Sequence, residues 1–216
     1  GLVVGSVVSY IAVVDLGTGN LHSVGKALER VASGTRVEIS CEPDVIGQAS
    51  HVVLPGQGAV GTWLDALARQ GLQETLSTVL QSRPVLGICL GLQALFDHST
   101  EDGGRVGLGF LKGEVKHFTE GIGLDYDVQK VPHMGWNNVT QTTSHPLWAG
   151  INQHSRFYFV HSYYADAVQC VEVLGTTEYG VRFTSAAGRE NVFAVQFHPE
   201  KSDKIGLQVI KNFINL

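Results

Sequence analysis

The amino-acid sequence predicts an α/β protein, a three-layer αβα sandwich with a mainly parallel central sheet and an antiparallel extension. Three observations predict it. Apolar strand-like runs alternate with helically spaced apolar residues through the first half, the pattern of a parallel sheet covered on both faces. From about Gly109 the pattern changes to strands joined by turns with few helices between them, which suits an antiparallel addition. The chain has 216 residues, 44% hydrophobic and only 16% charged, enough for one α/β domain with a sizeable core.

The elements follow in order. Tyr10 to Val14 is a continuous apolar run and reads as a buried strand; Leu21, Val24, Leu28 and Val31 then recur at helical spacing. Arg36 to Ile39 and His51 to Leu54 are the next strands, the latter ending at Pro55-Gly56. A helix through Trp63, Leu64, Leu67 and Ala68 precedes a fourth strand, Pro84 to Ile88, and a helical pattern through Leu92, Leu95 and Phe96 follows that strand at once. Phe110 to Phe118, Phe157 to Ser162, Val171 to Thr177 and Val192 to Phe197 are the later strands, and a helix through Ile205, Val209, Ile210 and Phe213 closes the chain. With no repeat, low-complexity tract or linker in sight, residues 10–216 read as one domain. Residues 1–9 read as an N-terminal extension or a leftover of expression.

Composition excludes several function classes. A net charge of −5 and a pI near 6.0 give no footprint for nucleic acid. No apolar run approaches the length of a membrane span. Gly1 to Tyr10 is apolar but lacks a basic n-region, so it does not read as a signal peptide, and the sequon Asn138-Val139-Thr140 then carries no meaning. Cys41, Cys89 and Cys170 are odd in number and scattered, which points to a reducing, cytoplasmic compartment rather than a disulfide framework. None has a cysteine or histidine at zinc-ligand spacing, so neither a metal nor a cofactor is expected. A dinucleotide loop is also excluded: Gly17-Thr18-Gly19 has His22 where a third glycine would stand.

The most informative segment is Pro84-Val85-Leu86-Gly87-Ile88-Cys89-Leu90-Gly91-Leu92-Gln93. A hydrophobic strand runs through Gly-x-Cys-x-Gly directly into a helix, the cysteine form of a nucleophile elbow. Glycines are needed because a strand turning straight into a helix brings backbone segments too close for side chains. The sulfur is left at a helix N-terminus, where partial positive charge favours thiolate. The amide of Leu90 becomes free to face a developing oxyanion. The bland alternative, a buried structural cysteine, does not explain the flanking glycines.

A thiol nucleophile needs a base held by a third group. Of nine histidines, His22, His98, His145 and His154 read as ordinary surface or loop residues. His198 ends an apolar strand in Gln196-Phe197-His198-Pro199-Glu200. Pro199 biases His198 toward extended backbone, in which residues two apart point the same way, so Glu200 can hold one ring nitrogen while the other faces the sulfur. A strand-end histidine beside a solvated glutamate would be the better reading alone; paired with the elbow, the catalytic reading wins. The carboxyl edge of a parallel sheet is where such distant residues meet.

The Gly87–Gln93 segment together with Phe197-His198-Pro199-Glu200-Lys201-Ser202 resembles the class I, or triad, glutamine amidotransferases. Further stretches are similar to one branch of that family, the glutaminase subunits of imidazole glycerol phosphate synthases: Asp15-Leu16-Gly17-Thr18-Gly19-Asn20-Leu21-His22-Ser23-Val24, Pro55-Gly56-Gln57-Gly58-Ala59, Pro132-His133-Met134-Gly135-Trp136-Asn137, and Phe157 through Tyr164. The resemblance spans about residues 10 to 214. It implies a Cys89–His198–Glu200 triad that hydrolyses L-glutamine, with oxyanion amides from Leu90 and Gln57. It also implies that Gly56, Gly58, Gln93, Ser162 and Tyr163 hold the glutamine. The implied partner is a (β/α)8-barrel cyclase subunit, in a heterodimer, which uses the ammonia on an aminoimidazole carboxamide nucleotide to form imidazole glycerol phosphate for histidine synthesis.

Asn20, Trp136, Tyr158 and Lys201 match positions that face the cyclase in that family. Taken alone, Asn20 reads as a helix cap, Trp136 and Tyr158 as core aromatics, and Lys201 as a solvated charge. Two positions depart from the family pattern: Leu16 stands where tyrosine is common, and Gln57 where valine is common in the oxyanion loop. Rival readings are the glutaminase subunit of pyridoxal phosphate synthase, another cysteine hydrolase of similar fold, and a non-catalytic regulatory subunit on the same scaffold.

Overall fold

The computed structural model describes residues 9–122 and 130–216; of the N-terminal extension, only Ser9 lies among them. The first half contains β1 (Tyr10–Val14), α1 (Leu21–Val31), β2 (Arg36–Ser40), α2 (Pro43–Gln48), β3 (His51–Leu54), α3 (Val60–Arg69), α4 (Gln73–Ser82), β4 (Val85–Ile88) and α5 (Leu90–Ala94). Next come β5 (His98–Ser99), β6 (Arg105–Val106), β7 (Gly113–His117), α6 (Phe118–Ile122), β8 (His133–Asn138) and β9 (Thr140–Gln141). The chain ends with β10 (Arg156–His161), β11 (Tyr163–Ala167), β12 (Val173–Glu178), β13 (Arg182–Arg189), β14 (Val192–Val195) and α7 (Asp203–Ile214).

The main sheet runs β2-β1-β3-β4-β14-β13-β11-β7-β5-β6, with β12 and β9 continuing from β13. From β2 to β14 every pairing is parallel; beyond β14 it is antiparallel except where β5 meets β7. Successive side chains of a strand point to opposite faces, and β1 shows the consequence. Tyr10, Ala12 and Val14 pack with Ile46, Leu67, Leu76 and Val79 of α2, α3 and α4. Ile11 and Val13 pack with Val24, Leu28, Val209 and Phe213 of α1 and α7. Helices therefore cover both faces, as expected. Each fully buried Leu, Ile or Phe here stabilises the fold by roughly 1.5–3 kcal/mol.

The order 2-1-3-4 reverses between β1 and β3, so the loops after these two strands diverge at the carboxyl edge and leave a crevice there. Strand β14 lies parallel to β4 with Val195 beside Ile88, and the Cys89 amide donates to the Val195 carbonyl at 2.8 Å. This pairing brings the elbow and the His-Pro-Glu segment side by side.

Some elements differ from expectation. Strand β7 starts only at Gly113, and Phe118 opens a helical turn rather than ending a strand. Strands β8 and β10 form a separate two-stranded ribbon instead of extending the main sheet. Several elements had no sequence signal strong enough to name, α4 and β13 among them. Helix α4 is Gln-, Ser- and Thr-rich, and only Leu76, Val79 and Leu80 mark its inner face. Strand β13, Arg-Phe-Thr-Ser-Ala-Ala-Gly-Arg, is buried from Phe183 to Gly188 on small residues rather than on an apolar run.

Candidate active site

The turn after β4 is the elbow that the glycines require. Cys89 has φ 56° and ψ −104°, a backbone conformation that costs a non-glycine residue about 1–3 kcal/mol and persists only where the surroundings enforce it. A side chain on Gly91 would lie 1.9 Å from the Leu54 carbonyl oxygen of β3, and one on Gly87 would lie 3.0 Å from the Gly91 backbone.

Cys89 is buried on the wall of a cavity of about 500 Å³ that is also lined by Gln57, Gly58, Leu90, Gln93, Ser162 and Tyr163. Seven of the residues expected to act on glutamine thus meet in one place. Gly56, His198 and Glu200 line a smaller recess behind it, with Thr18 and Asn20 of the β1–α1 loop. A side chain on Gly56 would strike Trp63 at 2.7 Å, so this position is glycine for packing.

His198 Nδ1 donates to Glu200 Oε1 at 2.6 Å, and the two side chains are 2% and 3% exposed. Its Nε2, the nitrogen left for the sulfur, is buried and has no other hydrogen-bond partner. Burial alone would push the His198 ring down; the negative Cys89 sulfur beside it, then Glu200, reverse this and hold its pKa up at about 10. The ring is thus kept as a proton donor beside the Cys89 sulfur. The geometry of the pair differs in origin from the expectation. His198 is extended, but Pro199–Lys201 is a 3₁₀ turn, so Glu200 reaches the ring by curling back and not by lying along an extended segment. The backbone of His198 is fixed from two sides, by its amide on the Tyr158 carbonyl at 2.9 Å and by Ser202 Oγ on its own carbonyl at 2.6 Å.

One expectation is reversed. The Leu90 amide is not free; it donates to the Gly56 carbonyl at 3.2 Å. An acceptor oxygen therefore stands against the amide that an oxyanion would need.

Residues without a sequence signal complete the site. Gln196 Nε2 donates to Cys89 Sγ at 3.5 Å, and Gln93 Nε2 donates both to Gln196 Oε1 and to the Tyr163 carbonyl at 3.1 Å. Gln196 was visible only as a polar residue inside the apolar run Val192–Phe197. Glu101 places a half-buried carboxylate on the cavity wall, its pKa raised by burial, with one oxygen accepting from the Val60 amide at 3.1 Å. It sits in a short 3₁₀ turn that no motif marks. His161 lines the cavity, and His133 lies behind it.

The remaining residues lie apart from the cavity. Asn20 is exposed and caps α1, its Oδ1 accepting from the Ser23 amide at 3.3 Å. Trp136 is 44% exposed, edge-on to the half-buried Tyr158, so it is not a core aromatic; Lys201 is exposed. Among the described residues no group of three or more His, Cys, Asp or Glu side chains is arranged to hold a metal ion.

The two buried histidines make the fold acid-sensitive. Burial lowers His133 from 6.5 to about 4 and His161 from 6.5 to about 3. Unfolded, both rings take up protons near pH 6.5; folded, they do so only near 4 and 3. The unfolded state therefore binds more protons as the pH falls, and stability present above 6.5 is lost progressively below it, by up to about 1.4 kcal/mol per pH unit for each ring. Denaturant titrations at pH 7 and pH 5 should show this loss, and it should be smaller in His133→Phe.

Comparison with known proteins gives the family. Residues 12–216 match the family model described as glutamine amidotransferase class-I. The protein named imidazole glycerol phosphate synthase subunit HisH of Aromatoleum aromaticum is 49% identical over 209 residues, covering 96% of this chain and 98% of that one. The HisH of Nitrosomonas europaea is 51% identical over 206 residues, covering 94% and 97%. Among solved structures, a glutamine amidotransferase superposes with TM-score 0.72 at 16% identity (96% of this chain, 98% of that one), and PurLQS from Thermotoga maritima with 0.72 at 19% (96% and 98%). These two share the fold. The chain belongs to the class-I glutamine amidotransferases. Its half-identical relatives over nearly the whole length narrow this to the HisH subunits of imidazole glycerol phosphate synthase.

Proposed function

We propose that this chain, through residues 10–216 acting as one domain, is the glutaminase half of a cytoplasmic heterodimer. It hydrolyses L-glutamine and hands the ammonia to a (β/α)8-barrel cyclase, which forms imidazole glycerol phosphate. The observation that carries the reading is His198, clamped by Glu200 at 2.6 Å, at the end of the strand parallel to the one that presents Cys89. The described residues include no helix long and apolar enough to cross a membrane.

In this reading Cys89 Sγ attacks the side-chain amide carbon of glutamine. The C–N bond breaks as His198 gives its proton to the departing ammonia. Water, deprotonated by His198, then cleaves the glutamyl thioester and releases glutamate. Glu200 holds the imidazolium in the correct orientation. Gln93, Ser162 and Tyr163 hold the substrate with Gly56 and Gly58, and Glu101 offers its ammonium group a carboxylate. Gln57 and Leu90 supply the oxyanion amides once the Gly56–Gln57 peptide turns, because the Gly56 carbonyl now occupies the Leu90 amide. Asn20, which lines the triad's rear recess, meets the cyclase together with Lys201, Trp136 and Tyr158. Docking there turns the loop, so the free chain is nearly idle. Glutamine hydrolysis, measured with and without cyclase and its nucleotide ligand, should rise on the order of a hundredfold in their presence. A free chain as fast as the complex would end the switching idea, and no hydrolysis in the complex would end the glutaminase reading.

A further inference from the structure

A one-way chain of hydrogen bonds runs from the β8–β10 ribbon into the glutamine cavity. Asn137 Nδ2 lies 3.1 Å from His133 Nε2, His133 Nδ1 lies 2.9 Å from His161 Nε2, and His161 Nδ1 lies 2.7 Å from the Tyr163 carbonyl oxygen. The two rings are 3% and 6% exposed and belong to paired residues of the ribbon. The bonding partners fix where every proton sits. A carbonyl only accepts, so His161 carries its hydrogen on Nδ1 and its Nε2 must accept. His133 then carries its hydrogen on Nδ1, and its own Nε2 accepts from the Asn137 amide. Both rings are neutral, and each nitrogen has a use. A proton added to either ring would force two donors to face each other, and a charged His161 would also oppose the His198 imidazolium.

The chain ends on the carbonyl that also receives Gln93 Nε2, and Gln93 in turn holds Gln196, which donates to the Cys89 sulfur. The triad mechanism uses neither His133 nor His161. We propose that these two histidines are positioning residues, an uncharged relay that fixes the Tyr163 carbonyl and through it the Gln93 side chain against which glutamine binds. The proposal rests on the glutaminase reading and adds to it the pair that sets substrate placement.

The rings' two nitrogens allow a test that loss of packing would not mimic. In His161→Asn the amide nitrogen falls where Nδ1 was and keeps the bond to the Tyr163 carbonyl. In His161→Gln the amide falls where Nε2 was, keeping His133 and losing the carbonyl. Assayed in the complex with cyclase, His161→Gln should raise KM for glutamine about tenfold, the worth of one such bond, with a smaller change in kcat. His161→Asn should bring KM back to within about threefold of wild type. Asn137→Ala, at the accessible end of the chain, should raise KM in the same sense without loss of folding. Imidazole nitrogen NMR of the wild-type chain should show both rings neutral with hydrogen on Nδ1 down to pH 5. Equal KM values in wild type, His161→Gln and Asn137→Ala would overturn the proposal, as would a ring titrating near pH 6.5 or carrying its hydrogen on Nε2. Wild-type turnover in the same assay separates these outcomes from failure of the glutaminase reading itself.

Discussion

Cys89→Ala should abolish glutamine-dependent synthesis by the complex, a loss of at least about 10⁴-fold, and leave synthesis from added ammonia at the wild-type rate. The size follows from the site's economy of means. In the proposed mechanism a single sulfur forms the covalent intermediate, and the neighbouring groups bear on it: Gln196 donates to it, and it helps to keep His198 protonated. On that reading, without the thiol no acyl group forms for the cavity to hold. The backbone has little reason to respond, because alanine has the same Cβ as cysteine and meets the same φ of 56° that Cys89 already bears. The elbow, the sheet edge and the surface around Trp136 therefore survive, and the cyclase keeps its partner. Parallel assays with glutamine and with an ammonium salt decide the matter. Loss of both activities would point to a structural cysteine, and retention of both to a non-catalytic subunit.

How much of this was legible in the sequence follows from which constraints are local. The elbow was legible because its glycines answer to sterics within a few residues, and the flanking segments declared themselves as strand and helix by period. His198 and Glu200 were legible for a similar reason, since proline and strand end lie in the same short stretch, although the 3₁₀ turn that delivers Glu200 was not. Residues whose role comes from tertiary register were not legible. His133 and His161 meet only because β8 and β10 pair in that register, and either histidine alone is one of nine. Gln196 gains its meaning from β14 lying beside β4, and Glu101 from a turn that happens to border the cavity. Strand β13 escaped because a strand flanked closely on both faces is filled here by Thr, Ser, Ala and Gly, which carry no apolar signature. The Leu90 amide shows a further limit: the motif places the amide, whereas the loop after β3, a different segment, decides what that amide binds.

Gly91→Ala should destabilise the chain far more than its single methyl suggests. The added carbon would stand 1.9 Å from the Leu54 carbonyl oxygen and 3.0 Å from the carbonyl carbon. Both are backbone atoms of a central strand whose neighbours, β1 and β4, hold it from either side, so neither rotamer change nor side-chain motion can relieve the contact. Relief requires α5 to retreat from β3, which would unseat Leu90 and Leu92 from the core and tilt the elbow that holds Cys89. Overpacking with backbone shifts costs about 1–3 kcal/mol where side chains can give way, and here the cost should exceed that range. Gly17→Ala supplies the contrast. Gly17 also carries a positive φ, 75°, yet a side chain there meets nothing within 4 Å, so only the left-handed backbone penalty of about 1–2 kcal/mol applies. Denaturant unfolding of the two variants beside wild type separates steric closure from backbone conformation. A Gly91→Ala chain no less stable than Gly17→Ala would mean that α5 can move away from β3 at little cost. The elbow would then be a loose joint, and the positioning of Cys89 would have to come from the Gly56–Gln57 loop instead.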